Sequence, residues 1–152
     1  MRRIAFVAAA VLVLIVLLVH RGGDEPVLRA NPQLTPGALN PLVTQATIDS
    51  TVCVQGWTKT VRPPTSYTDD LKLRQLREYG RTGPPSAYQE DHFISLELGG
   101  DPADPRNLWP EPYPRAAKVD RIENELNAAV CAGRLSLAQA QRQESRLKHE
   151  RG

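Results

Sequence analysis

Histidine is scarce in this sequence: His20, His92 and His149 are the only three. His20 flanks an apolar run and His149 stands in a polar tail, so His92 is the one expected inside the folded region. A single imidazole excludes a multi-histidine zinc site. Cysteine is rarer still. Cys53 and Cys131 are the only two, and neither sits in a CxxC pair, which excludes a zinc ribbon. A surplus of one charge is missing as well. The formal net charge is +2, but without Arg2, Arg3 and Arg21, which bracket the apolar run, sixteen basic and seventeen acidic side chains remain. The remainder is close to neutral, which excludes the broad basic footprint of a non-specific nucleic-acid binder. Internal repeats are absent.

What is present begins with Met1-Arg2-Arg3, a short positive start, followed by 16 apolar residues at positions 4–19. As a helix that run spans roughly 24 Å, short of a bilayer core of about 30 Å unless the flanking arginines snorkel. Residues 1–23 are therefore expected to be a signal anchor or a cleaved signal peptide, with membrane contact through residues 4–19 and the domain facing the periplasm or the extracellular space. Residues 24–38, rich in Gly, Pro and charge, read as a linker, and residues 39–148 as one domain. An even cysteine count in an oxidising compartment predicts a Cys53–Cys131 disulfide.

Within the domain a short strand is expected near residues 51–57. Val61-Arg62-Pro63-Pro64 then breaks any regular element. Thr68 offers an N-cap with Asp69 and Asp70 in the first turn of a helix that Gly80 stops. A second helix is expected over residues 115–132, with Val119, Ile122, Leu126 and Ala129 or Val130 as its apolar stripe and Gly133 as its stop. Ser136 opens a third with a capping-box pattern. Its tail, residues 142–152, reads as polar and frayed. Trp57, Trp109 and Tyr113 are expected to plug the core. Lys59, Arg62, Lys72, Arg74, Arg77 and Arg81 form either a solvated face or a phosphate-binding patch.

The densest chemistry lies in residues 90–107. His92 has the ordinary pKa of a general base. Asp91 precedes it, and at a strand end the two can converge on one site. Gly99-Gly100 permits a sharp reversal, after which Asp101, Asp104 and Asn107 return oxygen donors to the neighbourhood. Hard oxygens with one imidazole suit Mg²⁺, Mn²⁺ or a similar ion. A polar hairpin holding a hydrogen-bonded histidine fits the same residues. Asp101 and Asp104 read as turn residues, since the spacing of an EF-hand is absent.

Asp91-His92, Gly99-Gly100 and Asn107-Leu108 resemble the D-H, G-G, N-L frame of HNH nucleases. More widely, VRPPTSYT, EDH, LELGG, RNLWP and KVDRIEN are similar to motifs of a group of small exported bacterial proteins, over about two thirds of the chain. The resemblance implies an α+β fold with a ββα-metal core of a small β-hairpin and helices. It also implies a divalent metal ion and hydrolysis of phosphodiesters in DNA or RNA. His92 would be the base, Asp91 a metal ligand, and Asn107 a residue that orients His92 or assists at the metal. The family's third ligand falls here near Arg115, after the Pro-interrupted WPEPYP loop, and neither Arg115 nor Lys118 can ligate a cation. Asp120 and Glu123 replace it if the register shifts, or else they are solvated acids on a helix face. The alternative function is a non-catalytic envelope-associated binding protein on the same scaffold.

Overall fold

Local side-chain bonds decide the first part of the fold. The computed structural model describes residues 29–150. Where a strand was expected near residues 51–57, the chain forms successive turns and then a short helix, α1 (Trp57–Val61). The cause is the threonines and serine. Thr47 Oγ1 donates to Leu42 O, Thr51 Oγ1 to Thr47 O at 2.7 Å, and Ser50 Oγ to the same carbonyl. Such bonds offer the backbone an alternative to a ladder. Pro63 and Pro64 end α1 as expected. The next helix, α2 (Thr65–Glu78), starts a turn earlier than Thr68, with Pro64 at its N-cap position. Thr68 Oγ1 instead donates back to Thr65 O. Gly80, at φ 60°, lies just past the end.

β1 (Tyr88–His92) pairs antiparallel with β2 (Leu108–Pro112), Asp91 lying opposite Trp109. The segment expected as a loop through Pro110 and Pro112 is thus a strand. A two-stranded sheet leaves each strand one free edge, so a proline without an N–H is tolerated there. The long turn between the strands is tied by Asn107, which is fully buried. Its Oδ1 accepts from Ile94 N, and its Nδ2 donates to Ile94 O and Asp101 O. A Cβ on Gly100 would collide with Ile94 O and the Asn107 amide, so only glycine fits that clasp.

α3 (Tyr113–Cys131) carries the expected stripe, with Val119, Leu126 and Val130 buried. α4 (Leu137–Glu150) opens with the expected capping box: Gln139 Oε1 accepts from Ser136 N, and Gln139 N donates to Ser136 Oγ. The Cys53–Cys131 disulfide is present, with Cα atoms 5.5 Å apart. α2 and α3 each pack on both strands, while α4 lies against α3 and the turn at Leu96–Leu98. The fold is therefore α+β, one hairpin with four helices among the described residues. Trp109 is buried and Trp57 packs on the core, whereas Tyr113 is half exposed and plugs nothing.

Two expectations about the ends of the domain are corrected. Part of the segment read as linker belongs to the fold. Thr35 is buried, with Oγ1 bonded to Tyr79 Oη and Leu108 O, and Gly37 N donates to Arg106 O. The tail read as frayed is the second half of α4. Its inward stripe is Leu137, Ala140, Glu144 and Lys148, all buried. Half of that stripe is charged, so apolar periodicity stops short of it. His149 is in the fold too: its ring lies 4.2 Å from that of Phe93 and its Nε2 donates to Thr35 O. No helix among the described residues is long and apolar enough to cross a membrane. Residues 4–19, on which the anchor or signal peptide rests, lie outside them.

Candidate active site

His92 ends β1 and Asp91 stands beside it; both line one cleft of about 280 Å³. Glu97 from the hairpin turn, Asp120 and Glu123 from α3, and Arg62 just past α1 line the same cleft. The fold thus brings together His92, Asp91, Asp120 and Glu123. Asn107 is not among them. All three of its hydrogen bonds go to backbone of the hairpin turn, so its amide is a clasp and is not free to ligate.

His92 Nε2 lies 3.0 Å from Pro102 O. A carbonyl only accepts, so Nε2 carries the proton and Nδ1 is left as the basic nitrogen. Pro102 follows Asp101, which the Asn107 clasp holds, so the clasp fixes the partner that fixes the imidazole. Burial lowers the His92 pKa from its ordinary value, although the Pro102 bond and Asp91 oppose it. The ring is therefore neutral and basic at neutral pH.

The residue that the sequence did not disclose is Lys148. Its side chain is fully buried, and Nζ donates to Glu123 Oε1 and His92 O at 2.6 Å each and to Asp91 Oδ2 at 3.3 Å. Glu144 Oε1 lies 3.3 Å away as an ion pair. Burial works to lower the Lys148 pKa, but Asp91, Glu144, Glu123 and Glu111 together carry it well above its ordinary value. For Asp91 burial works upward, but Lys148, with Glu111 and His92, outweighs it and holds the carboxyl below its ordinary value. The other acids go the opposite way. Burial pushes Glu123 up to about 9 and Glu111 up to about 8 against the pull of Lys148, and it raises Glu144 as well. One ammonium does not neutralise this many buried carboxylates, and the remainder is met by protons or by another cation. The one readable sign of this arrangement was Glu144 and Lys148 at i, i+4 on the stripe that Leu137 and Ala140 begin.

On chemistry, the donors suit a hard divalent ion: four carboxylates and an imidazole line one cleft, and one of the carboxylate oxygens, Glu97 Oε2, is buried there without a hydrogen-bond partner. On spacing, no group of three or more His, Cys, Asp or Glu among the described residues stands close enough together to hold a metal ion. Lys148 keeps Asp91 and Glu123 to itself.

The raised acids set a pH dependence for stability. Glu90, whose carboxylate oxygens are buried without partners, is pushed by burial to about 8. A carboxyl raised in the fold contributes stability fully present below its unfolded pKa and lost as pH rises through the folded one. His92, lowered in the fold, acts in the opposite sense only below its ordinary value of about 6.5. Between about pH 6.5 and about pH 9 the melting temperature is therefore expected to fall as Glu90, Glu111 and Glu123 ionise. Each pKa unit of difference is worth about 1.4 kcal/mol. Melts followed by circular dichroism across that window test this. Glu90→Gln is expected to flatten the slope, and a melting temperature that climbs with pH contradicts the account.

No family model, curated protein or solved structure matches this chain.

Proposed function

We propose that the protein is an HNH-like, metal-dependent endonuclease that hydrolyses phosphodiester bonds of DNA or RNA outside the cytoplasm. The observation that carries the reading is the imidazole of His92, pinned at Nε2 by Pro102 O and basic at Nδ1, beside Asp91 in a cleft. In this mechanism Nδ1 takes the proton from a water molecule as it attacks phosphorus. Asp91, with Asp120 or Glu123, would hold the divalent ion. When bound, that ion supplies charge stabilisation for the phosphoryl and leaving oxygens. Arg62 meets the phosphodiester, as the one cationic side chain among the residues that line the cleft. Asn107 keeps Asp101 and Pro102 in place, so it acts on His92 through the backbone. The Cys53–Cys131 disulfide is compatible with an oxidising compartment. It supports placing the domain beyond the membrane, with residues 1–23 as anchor or signal peptide.

The test is cleavage of plasmid DNA and of single-stranded RNA by the full chain in Mg²⁺, Mn²⁺, Ni²⁺ or Zn²⁺. Nicking that disappears with chelator is the expected result. Failure with every ion and both substrates removes the nuclease reading. Arg62→Ala is expected to raise KM more than it lowers kcat, by about 10–100-fold, because a hydrogen bond to a charged group contributes about 1.5–3 kcal/mol. An unchanged KM would take Arg62 out of the substrate site.

One observation favours the second reading, a non-catalytic envelope-associated binding protein. The Lys148 ammonium already engages Asp91 and Glu123, the carboxylates a metal would need. Under that reading neither cleavage nor divalent-ion binding is measurable in the wild-type protein.

A further inference from the structure

Four oxygens from three elements surround Lys148 Nζ: Asp91 Oδ2 and His92 O from β1, Glu123 Oε1 from α3, and Glu144 Oε1 from α4. By chemistry this is the kind of donor set that hard metal ions take, carboxylates and a backbone carbonyl with no nitrogen or sulfur, but with the ammonium among them the three acids do not stand close enough together to hold a metal ion themselves. An ammonium has three protons, so it cannot serve four acceptors equally. Two of the distances are 2.6 Å and two are 3.3 Å. Glu144, itself fully buried, also keeps its second oxygen, Oε2, without a hydrogen-bond partner. One unit of positive charge thus faces three carboxylates. The cation is tethered through a lysine stem near the end of α4, while its acceptors sit on elements held by the hairpin and the core.

We propose that Lys148 is a built-in cation filling a four-oxygen site, and that a divalent metal ion and the Lys148 ammonium compete for it. Asp91 Oδ2 and Glu123 Oε1 serve either occupant and cannot serve both. A metal ion enters only when the ammonium withdraws or is removed, and the lysine sets how readily the cleft loads. The proposal deepens the metal-dependent reading and rests on the same Asp91 and Glu123, but it does not depend on cleavage.

The experiment compares the full-length wild type with Lys148→Met, which keeps the packed stem and drops the charge. Mn²⁺ binding is followed by titration calorimetry and by melting with and without Mn²⁺. Lys148→Met is expected to bind Mn²⁺ about 10–100-fold more tightly than wild type, the range by which residues supporting metal ligands change affinity. Its melting temperature should rise on loading. Lys148→Arg, which retains the charge, should show no such gain. Adding Glu123→Gln to Lys148→Met should abolish the gain, which separates this site from adventitious surface binding. A folded Lys148→Met with wild-type Mn²⁺ affinity overturns the proposal. If Lys148→Met does not fold alone, refolding that requires Mn²⁺ supports it. Failure of both Lys148→Met and Lys148→Gln to fold at saturating Mn²⁺ overturns it. A gain in affinity without any cleavage sinks the nuclease reading and leaves this one standing. Cleavage by wild type without the gain does the reverse.

Discussion

Replacing His92 with alanine is expected to slow phosphodiester cleavage by about 10²–10⁴-fold, the contribution of one well-placed general base. The fold should survive. The side chain makes one hydrogen bond, to Pro102 O, and the loss of one such bond costs about 0.5–1.5 kcal/mol. The backbone carbonyl of His92, which accepts from Lys148, is unaffected by the change. Rate and stability are thus separable at this position. Single-turnover cleavage and a urea melt on the same preparation make the comparison. A rate within a few-fold of wild type, or a loss of activity matched by unfolding, would falsify the role. The lowered pKa of His92 adds a second signature. A base must be unprotonated, so activity should fall on acidification only below the ordinary imidazole value, and that limb should vanish in the alanine variant.

Loss of the Cys53–Cys131 bond is expected to have the largest effect on stability. The two residues are 78 positions apart in sequence. Opening a loop of that size restores unfolded-chain entropy worth about 4–5 kcal/mol. A domain has about 5–15 kcal/mol in all, so the double serine variant should melt on the order of 20 °C lower. The bond joins the end of α3 to a segment made of turns, with a three-residue 3-10 helix at Ile48–Ser50 before Cys53 and the five-residue α1 after it. Thr58 and Arg62, which line the cleft, follow directly. Activity should therefore decline before global unfolding as that segment loosens. Denaturation in oxidising and reducing buffer tests the claim, and coincident midpoints would refute it.

Much of this was legible along the chain because its signals are local. The stripe Val119, Ile122, Leu126, Val130 announces α3 by period alone. Ser136 and Gln139 announce the start of α4 by reciprocal capping. Two cysteines leave a single intramolecular pairing. Residue type and spacing mark Asp91 and His92, the HNH resemblance adds Asp120 and Glu123 through a shifted register, and all four line one cleft. Asn107 carries the same mark, but its amide is spent on the turn, packed so closely on Gly100 that no Cβ fits there. The misread strand near residues 51–57 has an equally local cause. Thr47 and Thr51 are β-branched and favour strands, but their hydroxyls and that of Ser50 close turns on their own backbone instead.

Sequence by itself determined the Ser136 cap of α4, the glycine stops after α2 and α3, the disulfide, the glycine-bearing hairpin turn, and the pairing of one carboxylate with the one histidine that lines the cleft. Each of these follows from neighbours within a few residues, or from a count. Tertiary structure decided the charge state of the site. Whether Glu144 and Lys148 are solvated or buried depends on α4 crossing the end of β1, more than fifty residues away in sequence. Local periodicity cannot foresee that crossing, because a buried charge is tolerated only where its partners arrive from elsewhere. The same crossing turns a polar tail into the cation among the carboxylates, and a linker into the strap beneath His149. A charge far from its partners along the chain carries no sign of them until the fold closes the distance.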